Sequence, residues 1–209
     1  MKLAIATLTQ YLEALSSAEP VPGGGSAAAL CGAQGAALVA MVGALTLGKP
    51  RYVANEVECL SAMERGRELA RRLEAQVDAD ADAYRAVLAA VRLPKATDEE
   101  RTRRAQAIAE ATKGAAEAPM LTLALALEAL QAARTLVGRS NAACASDLGV
   151  AAASLAACAK GAWLNVRTNL PGIPDEGERA RLSAEGTFLA VECETLASEI
   201  GHAVTRTLE

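Results

Sequence analysis

The sequence is poor in the side chains that most catalytic chemistry uses. Among 209 residues it has one histidine (His202), one tryptophan, one phenylalanine and three tyrosines. A lone histidine cannot furnish a multi-histidine metal site, and a Ser-His-Asp triad would have to take its base from the last turns of the chain. Aromatics at 2% leave no platform on which single-stranded bases could stack. There is no basic surplus either: 21 Lys and Arg stand against 25 Asp and Glu, for a net charge of −4. That balance offers no footprint for a phosphate backbone. The expectation is a protein with no metal site and no nucleic-acid partner.

Cysteine spacing excludes more. The five cysteines (31, 59, 144, 158 and 193) are odd in number, and none forms a C-x-x-C pair. In such alanine-rich surroundings they read as small buried hydrophobes, which favours a reducing, cytoplasmic setting. The opening Met1–Ala6 is too short an apolar run for a secretory h-region. Strand signals are missing as well: there are no alternating β-branched or aromatic runs and no Asn-Gly or Asp-Gly turns.

Alanine is what the chain has in quantity, 50 residues of it, and with leucine it favours helix. The pattern predicts an all-α bundle of about six long helices in a single domain covering residues 1–209. Helical segments are expected at about 3–17, 26–47 and 54–91, then at about 97–116 and 119–137 with Pro119 as a helix start or a kink. Two more follow, from Ser146 or Asp147 to Asn169 and over about 175–207. Thr97-Asp98-Glu99-Glu100 fits a capping box, and Ser26 is the expected N-cap of the second segment. Pro20–Gly48 carries no charge, and Ser26–Leu47 is long enough to cross a bilayer, which takes about 20 residues. Its Ala and Gly transfer weakly into lipid beside Leu, Ile or Phe, so it reads as a helix buried inside a soluble bundle, with no membrane partner. Gly32, Gly35 and Gly43 mark its tightest contacts.

In the third segment Leu73, Val77, Asp80, Tyr84, Val87 and Val91 form one seam of helical period. Asp80 lies on it. Asp78 and Asp82 are each about 200° away and share a face with Glu74 and Arg85 that reads as solvent. A carboxylate facing a helix interface must be paired or neutralised, because desolvation penalises its charged form. Two readings stand: a general acid/base with a raised pKa, or an ion-paired aspartate tying two helices together.

Gly23-Gly24-Gly25-Ser26 precedes a helix. It reads as a flexible turn, or as a site where backbone N–H groups and the helix dipole meet an anion or carboxylate. No Gly-Lys-Ser/Thr follows and no strand precedes, so it is neither a Walker A nor a Rossmann loop. Lys49 closes the second segment, where it can serve the last carbonyls. Asn165 and Asn169 share a face at i and i+4. Asn141 and Asp147 flank a turn, where capping is the simple reading. Arg103 and Arg104 read as solvated, and His202 as a helix-end surface residue.

Taken in order, these blocks resemble a known family. They are Pro22-Gly23-Gly24-Gly25-Ser26 with Gly32 and Gly35, Met41-Val42, Leu45–Lys49 with Tyr52, Asp80-Ala81-Asp82-Ala83-Tyr84, and Leu93-Pro94-Lys95 with Arg104. Asn141, Ser146–Val150 and Asn165–Leu170 complete the set. The chain resembles the cyclodeaminase/cyclohydrolase family of folate enzymes over nearly its whole length. The resemblance implies an all-helical homodimer with a folate site in a cleft near the subunit interface, no metal, and no cofactor beyond the tetrahydrofolate substrate. It implies Asp80 as proton shuttle, with Tyr84 one turn on and Asp78 as the alternative. It assigns Lys49 to developing charge or substrate, the Gly23–Ser26 loop to the pterin or a carboxylate, and Asn165 and Asn169 to the pterin ring. Tyr52, Tyr84 and Asn141 join the substrate-binding set. Arg139-Ser140 departs from the usual Asn or Pro of similar proteins.

Two reactions fit the resemblance. A cyclohydrolase adds water to 5,10-methenyltetrahydrofolate and gives 10-formyltetrahydrofolate. A cyclodeaminase closes 5-formiminotetrahydrofolate to the methenyl compound and releases ammonia. With no formiminotransferase domain in the chain, the expectation leans to the cyclohydrolase. The competing reading is a non-catalytic, self-associating helical bundle. It predicts that Asp80 is paired with an Arg or Lys, and that the glycine segment opens onto no cleft.

Overall fold

A computed structural model describes residues 2–209. Among these residues there are six α-helices and no strands: α1 (Leu8–Leu15), α2 (Gly24–Ala44), α3 (Glu56–Val91), α4 (Asp98–Leu136), α5 (Ala145–Asn169) and α6 (Glu176–Leu208). Short 3-10 turns occupy Leu3–Ile5, Pro50–Asn55, Ala142–Cys144 and Leu170–Gly172. The all-α expectation holds.

The centre of the bundle is α2, and its small residues explain why. An added Cβ at Gly43 would meet the Cys59 carbonyl oxygen at 2.7 Å, and one at Gly66 would meet the Ala40 nitrogen at 2.7 Å. Backbone therefore lies on backbone where α2 crosses α3. On the other side, Gly35 leaves only 2.7 Å to Leu155 and Gly32 only 2.6 Å to the Cys158 sulfur, both on α5. Such close approach multiplies dispersion contacts along the helix pairs. By length and composition alone, Gly24–Ala44 and Ala142–Gly172 would also suit a membrane span. One continuous core joins α2 through α6. A smaller cluster of Leu3, Tyr11, Ala29, Val77 and Ala81 holds the N-terminal arm.

Several boundaries differ from the sequence expectation, each for a local reason. The predicted 3–17 helix is broken at Ala6, because Thr7 and Gln10 form their own capping box and restart the chain as α1. α2 begins at Gly24 with Gly23 as N-cap, so Ser26 lies inside the helix and is fully buried. Its end comes at Ala44, and Gly48 turns the chain at a φ of +71°. α5 starts at Ala145 without a side-chain cap, leaving Asp147 in its first turn. The capping box at Thr97 forms as expected.

The largest difference is α4, which runs unbroken through Pro119. A proline there removes the N–H that would bond the Ala115 carbonyl one turn back. The side-chain amide of Asn169 on α5 donates to that carbonyl instead, at 2.9 Å. A neighbouring helix thus supplies the missing donor, and two predicted segments become one.

Candidate active site

The N-terminus of α2 packs against the middle of α3, and two glycines set the distance. An added Cβ at Gly25 would fall 1.9 Å from the Asp80 carboxyl oxygen Oδ1. Only glycine lets the carboxyl lie against the first turn of α2. Ser26 then donates from its hydroxyl to the Val77 carbonyl at 2.8 Å and to Asp80 Oδ2 at 3.2 Å. Gly24 brings α5 in as well, because its missing Cβ would sit 3.7 Å from the Asn165 amide nitrogen. Gly24, Gly25, Ser26, Asp80 and Asn165 therefore converge from three helices. The triple glycine is a packed helix start rather than a flexible loop.

Asp80 is half-buried and forms no ion pair among the described residues. Burial pushes its carboxyl above the usual range, and the Ser26 hydroxyl and backbone N–H work against that rise. The ion-paired alternative is not what this chain does. The rest of the predicted seam diverges: Leu73 and Val77 are buried, but Tyr84 is 42% exposed and Val91 emerges too. Beyond Val77 the buried positions of α3 are Ala81 and Ala90, which lie off the predicted seam. Asp82 pairs with Arg85 at the surface. Asp78 does not simply face solvent. Its carboxylate accepts from the Leu3 N–H at 2.6 Å and the Ala4 N–H at 3.4 Å, clipping the N-terminal arm to α3.

A second group forms at the far end of α2. Lys49 is exposed, and the Tyr52 hydroxyl accepts from the Ala142 N–H at 3.0 Å. Asn141 donates its backbone N–H to the Thr46 hydroxyl at 2.9 Å, and its side chain caps the Ala142–Cys144 turn. With Arg51 and Ser140, Tyr52 and Asn141 line a cavity of about 140 Å³. The 21 residues of α2 span about 30 Å at 1.5 Å per residue. The structure thus splits the predicted site residues into two groups that one chain does not bring together. Asn169 lies nearer Asp80, but its amide is taken by the Ala115 and Asn165 carbonyls.

Among the described residues no three His, Cys, Asp or Glu side chains converge to hold a metal ion. All five cysteines are free. Between the N-terminal arm and helices α2 and α3 lies an apolar cavity of about 400 Å³, lined by Tyr11, Leu30, Ala33, Ala70 and Val77 among others. Tyr11 escaped the sequence reading. It is 4% exposed and packs on Val77 and Ala81, on either side of Asp80. Nothing in its local sequence marks it, since the contact joins segments far apart in the chain.

Comparison with known proteins adds the chemistry. The family described as Formiminotransferase-cyclodeaminase matches residues 7–187. The chain is 41% identical over 169 residues to a methenyltetrahydrofolate cyclohydrolase of Methylorubrum extorquens, with 81% of each protein covered. It is 34% and 37% identical to the formimidoyltransferase-cyclodeaminases of Sus scrofa and Gallus gallus. Those matches cover 91% and 88% of this chain, which spans only 35% and 34% of the animal proteins. A solved formiminotetrahydrofolate cyclodeaminase of Thermotoga maritima has the same fold, with a TM-score of 0.88, 24% identity and 98% of both chains covered.

Proposed function

The chain belongs to the formiminotransferase-cyclodeaminase family, and on that premise we propose that it hydrolyses 5,10-methenyltetrahydrofolate to 10-formyltetrahydrofolate. The observation that carries this reading is an unpaired, half-buried carboxyl held against the start of α2 by Ser26 and Gly25. The 41% identity with a cyclohydrolase, at equal coverage of both chains, favours hydrolysis. The relatives named formimidoyltransferase-cyclodeaminase keep ring closure with ammonia release as the second reading.

In the proposed mechanism Asp80, as carboxylate, takes a proton from water as the water oxygen bonds to the methenyl carbon. The C–N5 bond then breaks, and Asp80 returns the proton to N5. The new hydroxyl loses its proton to solvent and becomes the formyl oxygen on N10. A carboxyl raised by burial is a stronger base than a free aspartate, which suits the first step. Asn165, whose amide donates to the Gly161 carbonyl at 2.8 Å, would meet the pterin beside Gly24 through its amide oxygen. No metal or added cofactor is needed.

Lys49, Tyr52 and Asn141 enter this scheme only through a second copy of the chain. Val53, Val57 and Leu60 beside them are 62%, 80% and 43% exposed, an apolar edge suited to self-association. We infer a homodimer in which the Lys49 end of one protomer serves the Asp80 end of its partner. Mixed dimers of Asp80→Asn and Lys49→Ala chains should then recover activity that neither variant has alone. Free thiols suit a reducing cytoplasm.

The deciding assay follows the near-ultraviolet absorbance of methenyltetrahydrofolate with purified protein. Loss of absorbance marks the cyclohydrolase. Its appearance from formiminotetrahydrofolate marks the cyclodeaminase. Neither change, with folded protein, returns the non-catalytic bundle.

A further inference from the structure

The Tyr11 hydroxyl is the one buried side-chain oxygen or nitrogen, among the described residues, that lacks a hydrogen-bond partner. Burying an unpaired hydroxyl is costly, and a phenylalanine would fill the same space without that cost. The hydroxyl therefore needs an account that packing does not give. Its surroundings offer one. Tyr11 packs on Val77 and Ala81, the residues three before and one after Asp80. It lies within electrostatic reach of the Cys31 thiol and the Asp80 carboxyl, and burial followed by those two groups raises its own pKa. Of the Asp80 oxygens, Oδ2 is engaged by Ser26.

We propose that Tyr11 is a positioning residue for Asp80, acting through a water enclosed by the Tyr11 hydroxyl, the Cys31 thiol and the Asp80 carboxylate. Three polar groups around one buried site are the number such a water takes. Ser26 then holds the carboxylate from α2, and Tyr11, through the water, holds it from the N-terminal arm. Ser26 from α2 and Asn165 from α5 stand near this site as neutral groups. Arg71 and Glu74 of α3, of opposite charge, line the arm cavity together with Tyr11, and Asp78 is committed to the arm backbone. The role rests on the hydrolytic reading of Asp80, and it includes the water-handling that hydrolysis needs.

Tyr11→Phe keeps the ring and removes only the hydroxyl. Donors to a carboxylate favour its charged form, so their loss raises its pKa. The variant should lose about ten- to a hundredfold in kcat, the worth of a hydrogen bond to a charged group. KM should stay near wild type, and the acid limb of the pH–rate profile should move to higher pH. Thermal stability should change little, since the ring packing stays and one hydrogen bond to a water is lost. An unchanged kcat and an unmoved limb would overturn the proposal and leave Tyr11 as packing. A rise in KM with the limb fixed would also overturn it, by making Tyr11 a substrate contact. Titration of Asp80 by carbon-13 NMR in both proteins separates this inference from the functional reading. If wild type turns over no folate but the variant still raises the Asp80 pKa, the function fails and the positioning stands. If the Asp80 pKa is the same in both, the positioning fails.

Discussion

Asn169→Ala should destabilise the bundle, and Pro119→Ala should cancel most of the loss. In the wild type the Asn169 amide donates to the Ala115 carbonyl at 2.9 Å and to the Asn165 carbonyl at 3.0 Å. Ala115 is only 8% exposed, and Pro119 has no N–H to offer its carbonyl. Removing the amide leaves a buried acceptor unpaired, which costs about 1–3 kcal/mol. For a chain of this size each kcal/mol moves Tm by about 2–4 °C. With alanine at 119, the new N–H bonds the Ala115 carbonyl within α4, and Asn169 has little left to satisfy. The cost of Asn169→Ala should then fall below about 1 kcal/mol. The coupling is about 1–2 kcal/mol, in the range expected of residues that share a partner. Pro119→Ala alone has opposing contributions from helix propensity, unfolded-state entropy and lost ring packing, but the double-mutant cycle cancels them. Urea unfolding followed by far-ultraviolet circular dichroism gives all four stabilities. An equal cost of Asn169→Ala in both backgrounds would refute the reasoning. Turnover tests the binding role assigned by resemblance: activity regained in the double variant would make Asn169 structural, and activity still lost would restore it to the pterin site.

Asp80→Asn should abolish turnover and keep the fold. Because the native carboxyl pKa is raised, the proton it holds stabilises the fold below the unfolded value of about 3.9, and that contribution is lost as pH rises through the folded value. At neutral pH the variant should therefore unfold at an equal or higher urea concentration than wild type, and a lower midpoint would contradict the burial argument. Gly25→Ala should displace the carboxyl, since its Cβ would fall 1.9 Å from Oδ1. The expected results are lost turnover and a cost of about 1–3 kcal/mol by overpacking, most of it relieved in a Gly25→Ala, Asp80→Ala double variant measured by the same unfolding assay. Cys158 and Cys193 are buried with thiols pushed up to about 12. Cys31 is the only cysteine with appreciable exposure. Mass spectrometry after brief alkylation of the native protein should find Cys31 modified and those two intact.

Much of this architecture was legible in local pattern. Alanine and leucine with no strand signal meant helices, and the Thr97–Glu100 capping box started α4 where expected. The charge-free glycine run became the central helix, and its glycines mark the crossings with α3 and α5. Periodicity also singled out Asp80 from its neighbours. These signals act within about one helical turn, so a single strand of sequence carries them. The same reasoning failed on Tyr84 and Asp78, because which part of a 36-residue helix is covered depends on where its neighbours stop.

Other features exist only between segments. Pro119 is a helix breaker by its own chemistry, and α4 continues because Asn169 on another helix replaces the missing donor. The family resemblance makes both Lys49 and Asp80 catalytic, yet a straight α2 holds them at opposite ends of one chain. Tyr11 carries no local mark, but the arm clipped by Asp78 packs its ring into the cluster of Val77 and Ala81, which flank Asp80 in the chain. The sequence by itself determined the helices and singled out one aspartate on an apolar seam, since periodicity and caps are local. Tertiary structure alone decided which groups surround that aspartate, because packing joins side chains by shape and hydrogen-bonding need rather than by their order along the chain.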